Sequence, residues 1–108
     1  MARAKYEELM NLITNAPITL EAKDHFADVL MDAADLMDDV REGVQLLHFH
    51  RDGEQARKRL ERLYVRAIWR GGLIEVIEAY GATPQNLSVF TRLLHGIRQL
   101  EAFYPELA

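Results

Sequence analysis

Gln85, Asn86, Ser88, Thr91 and Arg92 are the residues whose types and spacing suggest a specific chemistry. Amide and guanidinium side chains read base edges in a DNA groove, and a recognition helix carries such residues in its first turns. A second set, Arg59, Arg62, Arg66 and Arg70, recurs every three or four residues and forms a basic stripe on a helix. It would either contact phosphates or pair with acidic side chains. A third set, Asp28, Asp32, Asp35, Asp39 and Glu42, with Asp24 before it, recurs in the same way. Three readings of this acidic stripe stay open: a solvated face, a face ion-paired to the basic stripe, or a face that binds another protein or mimics DNA.

Other chemistries lack their residues. The chain has no cysteine, so it has no disulfide, no thiolate nucleophile and no cysteine-based zinc site. Ser88 is its only serine, and no His–Asp arrangement accompanies it. His48 and His50 are two apart, which puts them on different faces of a helix, and no Glu-x-x-His motif occurs. Neither catalysis, a metal, a cofactor nor a small-molecule substrate is expected.

The elements that would hold these residues are all helices. Tyr6, Leu9, Met10 and Ile13 predict a short amphipathic helix over Ala2–Ile13, broken by Thr14-Asn15-Ala16-Pro17. Thr19 caps a long central helix over Leu20–Phe49, whose apolar face is Phe26, Val29, Ala33, Leu36, Met37, Val40, Val44 and Leu47. Arg51-Asp52-Gly53 reads as a turn. The next helix, Glu54–Arg70, has its apolar face at Ala56, Leu60, Leu63, Tyr64 and Ala67, with Ile68 beside it and Trp69 near its end. Gly71-Gly72 reads as a second turn, followed by a short helix, Leu73–Tyr80. Gly81 ends that helix, and Thr83-Pro84 opens the last one, which carries Leu87, Phe90, Leu94 and Ile97 on one line and runs to about Phe103.

The run Gly81-Ala82-Thr83-Pro84-Gln85-Asn86-Leu87-Ser88, followed by Phe90 and Arg92, resembles the trihelical helix-turn-helix superfamily, in particular its small plasmid, phage and fimbrial repressors. The resemblance covers roughly residues 56–98. It implies a DNA-binding transcriptional regulator that acts as a homodimer, with Thr83–Arg98 as recognition helix.

Charge and size set the frame. The 108 residues suffice for one domain with one core, and 49% of them are apolar. The net charge is −4, which argues mildly against nucleic acid. It is uneven: residues 1–50 hold 4 Lys/Arg against 10 Asp/Glu (−6), and residues 51–108 hold 9 against 7 (+2). No run reaches membrane-span length and the N-terminus has no signal-like apolar region, so a cytoplasmic protein is expected. The expected fold is a single all-α domain, a small bundle of about five helices. Its acidic part (1–50) would serve dimerisation, and its helix-turn-helix-like part would span 54–104. The competing expectation is a non-enzymatic adaptor or inhibitor that binds another protein through the acidic helix face.

Overall fold

The computed structural model describes residues 2–42 and 54–107, with 54–58 as backbone only. Four helices and a short 3-10 helix account for them: α1 (Ala2–Thr14), α2 (Leu20–Arg41), α3 (Glu54–Tyr80), α4 (Pro84–Glu101) and the 3-10 turn Pro105–Leu107. The continuation of the central helix beyond Glu42, the His48–His50 pair and the turn at Arg51–Gly53 lie outside the described residues.

Local chemistry explains the helix starts. Thr19 is extended, and its hydroxyl accepts from the Ala22 N–H at 3.2 Å. Thr83 does the same for α4, accepting from the Asn86 N–H at 3.1 Å, with Pro84 in the first turn where no N–H is required. Gly81 takes φ 99° and closes α3, donating its N–H to Ile77 O at 2.8 Å.

The helices run up, down, up and down. Lys23 at the start of α2 reaches Thr14 O at the end of α1 (2.7 Å), so those two are antiparallel. Gly72 of α3 lies against Val29 of α2, and Tyr80 meets His25 edge-on at 5.7 Å. Arg66 of α3 reaches Glu101 at the far end of α4. Neighbours in sequence are therefore neighbours in space, and α1 closes the bundle against α4. The core between them contains Leu9, Ile13, Phe26, Leu30, Met37, Val65, Trp69, Leu73, Val76, Leu93, Ile97 and Leu100.

Two expectations are corrected here. Among the described residues there are four α-helices rather than about five, because Gly71-Gly72 does not break the chain: α3 runs unbroken through both. Each glycine costs a helix about 1 kcal/mol relative to alanine, and tertiary packing overrides that cost. A Cβ on Gly72 would stand 3.0 Å from Val29 Cγ2, so the missing side chain is what lets α2 and α3 approach. The second correction is the face of α3 that meets the core. Leu60, Leu63, Tyr64, Ala67 and Ile68 face solvent, and Glu61, Val65, Trp69, Leu73 and Val76 are buried instead. A smaller rotation occurs in α4, where Asn86, Val89, Leu93, Gly96, Ile97 and Leu100 point inward while Leu87 is exposed.

Candidate interaction surfaces

The five candidate base-reading residues do not form one surface. Asn86 is 6% exposed. Its side-chain Nδ2 donates to Gly81 O at 2.9 Å and Tyr80 O at 3.3 Å. These are carbonyls that the end of α3 leaves without helical partners, so Asn86 caps one helix from inside the next. Gln85, Ser88, Thr91 and Arg92 remain exposed. Gln85, Ser88 and Arg92 border an open groove of about 530 Å³ whose other wall is Glu8, Asn11 and Leu12 of α1 and Asn15 just after it. The separate short helix of the trihelical pattern is absent, since Leu73–Tyr80 is the last third of α3.

The four arginines separate in the same way. Arg66 donates from Nη2 (3.0 Å) and Nε (3.3 Å) to Glu101 Oε1. The other carboxylate oxygen accepts from the indole Nε1–H of buried Trp69 at 3.4 Å. Glu101 thus joins a cation and an indole of α3 to α4 in a nearly dry setting, where a charge persists only with partners. Arg62 is half-buried beside this group, in a crevice shared with Arg98, Tyr104 and Leu107. Arg59 and Arg70 are exposed. Among the described residues, no ion pair joins the arginines of α3 to the aspartates of α2.

The acidic stripe therefore faces outward. Asp24, Asp28, Asp32, Asp35 and Glu42 are exposed and Asp39 is half-exposed, all on the side of α2 opposite Phe26, Ala33 and Met37. Near its end, Asp35 and Asp38 join Arg3, Tyr6, Arg41 and Tyr104 around a groove of about 470 Å³ between α1, α2 and the chain end. Tyr104 donates its hydroxyl to Asp38 Oδ1 at 2.8 Å and lies 4.0 Å under the Arg41 guanidinium. Burial, and then the bond to Asp38, push the Tyr104 phenol up to about 12. Burial raises Tyr6 as well, with Asp35 adding to the effect.

The sequence reading assigned one surface to the core that in fact lies outside it. Leu60, Leu63 and Ile74 lie on the side of α3 away from Val65, Trp69 and Val76, with Tyr64 and Ile68 turning toward one flank, and each is between 38% and 49% exposed. Ala67 and Gly71 continue the same line, and nothing stands within 4 Å of where a Gly71 Cβ would be. A contiguous apolar stripe on a protein surface marks a binding surface more often than does scattered exposure. The sequence held a signal for it: α3 has two apolar stripes, and one bundle can bury only one of them. No protein-family model matches this chain, and neither a curated protein nor a solved structure matches it.

Proposed function

We propose that this chain is a non-enzymatic helical module that works by docking a helix face against another protein. The observation that supports this best is the outward apolar stripe of α3. Burying a side chain such as Leu63 or Ile68 contributes about 1.5–3 kcal/mol, so a few of them suffice for a specific interface. The acidic row exposed on α2 would also speed encounter with any molecule that carries basic residues, acting on association rate more than on final affinity. DNA regulation is the weaker reading, because Asn86 is used inside the fold and Arg66 is held by Glu101.

The test installs a photo-crosslinking side chain at Leu63, or at Gln99, which is exposed on α4. Irradiation of producing cells should give discrete protein adducts from position 63 and none from position 99. No adduct from 63, together with retention of one genomic DNA fragment whose affinity falls steeply with salt, would return the DNA reading and overturn this one.

A further inference from the structure

The stripe on α3 has the periodicity of a helix that pairs with a copy of itself. Leu60, Tyr64, Ala67, Gly71 and Ile74 alternate at spacings of four and three, the seam of a two-helix coiled coil. All of them lie on the side of α3 away from its own core. Ala67 and Gly71 occupy the middle of the seam, where small residues let two backbones approach closely. Leu60 to Ile74 spans roughly 21 Å of helix at 1.5 Å per residue.

The residues flanking the seam decide the partner and its direction. One flank carries Leu63 and Arg70, and the other carries Ile68 and Glu75, all four exposed. In a parallel, in-register pair, a residue on the first flank meets the residue five positions later on the other flank of the second helix. Leu63 then meets Ile68, and Arg70 meets Glu75, each twice by symmetry. An apolar pair and an ion pair both match. In an antiparallel pair, like flanks meet, so Arg70 approaches the Arg70 flank of its mate and Glu75 loses its cation. The outward end of the seam is set by Glu78, which would face its own copy and stops the apolar line after Ile74.

From this charge and size complementarity we infer that the occupant of the α3 stripe is a second copy of this chain, paired in parallel about a two-fold axis along the helix. This rests on the reading of α3 as the docking face and names its partner. Both bundles then lie on the outside of the pair, with their cores and acidic α2 rows facing away from the axis, which suits a two-fold symmetric assembly.

The experiment uses the purified full chain, which has no native thiol. Ala67→Cys places one thiol at the centre of the seam, and Ser88→Cys places one on exposed α4. Sedimentation should show a reversible dimer, and oxidation should link Ala67→Cys but not Ser88→Cys. Leu63→Glu should give a monomer with unchanged helix content, and its Tm should equal that of the native chain at concentrations where the native chain is also monomeric. Arg70→Glu alone should weaken the dimer about fivefold, from two symmetric exposed pairs, and Arg70→Glu with Glu75→Arg should restore it. A protein that stays monomeric at the highest concentrations, or a dimer that Leu63→Glu does not disturb, overturns the inference. A dimer whose Ala67→Cys form stays unlinked, or whose charge swap fails to restore pairing, overturns the parallel register. A monomer whose position 63 still crosslinks to a different protein in cells removes the second copy while leaving the docking function in place.

Discussion

At the residue scale, three side chains have duties that only their neighbours define. Tyr104 stays neutral in the fold because burial and its bond to Asp38 favour the phenol over the phenolate. A phenol raised from 10.0 to about 12 adds stability that is complete below pH 10 and is lost as pH climbs toward 12. Ultraviolet absorbance should therefore show one tyrosinate forming about two units late, as stability in urea falls over the same window. Tyr104→Phe should remove that late step and cost about 1 kcal/mol. Glu101 has a larger part. Glu101→Leu strands the Arg66 guanidinium and the Trp69 indole N–H, so urea unfolding should show a loss of about 2–4 kcal/mol. A double cycle with Arg66→Met should recover part of it, and simple additivity would show that the pair does not interact. Asn86→Ala should cost about 1–2 kcal/mol through the uncapped end of α3. A loss of DNA affinity at unchanged stability would mean that the amide reads bases instead.

At the element scale, glycine shows how context reverses a propensity. Gly71 and Gly72 read as a helix break, yet α3 passes through both. Gly71 has open space around it and Gly72 does not. Gly71→Ala should stabilise the bundle by about 0.5–1 kcal/mol in thermal melts, provided the comparison is made at concentrations where the chain is monomeric. Gly96 is the opposite case. It is buried in α4 where a Cβ would overlap Leu9 Cδ2 of α1, so Gly96→Val should cost about 1–3 kcal/mol and Leu9→Ala should relieve the crowding. The starts of α2 and α4 and the end of α3 were legible for a plain reason: Thr19, Thr83, Pro84 and Gly81 act on the backbone within a few residues. The continuity of α3 was not, because it depends on Val29, more than forty positions away.

At the scale of the whole molecule, the four helices form one bundle around Trp69, the only tryptophan. Its fluorescence and the helical circular dichroism should therefore unfold together. Two separated transitions would mean that the acidic and basic halves fold as independent units. The sequence by itself determined that the fold is helical, where most helices begin, which face of α2 is apolar, and that no cysteine chemistry is available. These follow from periodicity and from short-range backbone chemistry. Only the tertiary structure decided which stripe of α3 is core and which is surface. Leu60, Leu63, Tyr64 and Ala67 are as apolar as Val65, Trp69, Leu73 and Val76, so hydrophobicity alone does not choose between them. The choice falls to the face that carries Gly72 and Trp69, because there α2 can come close and Glu101 can satisfy the indole, leaving the other face outward.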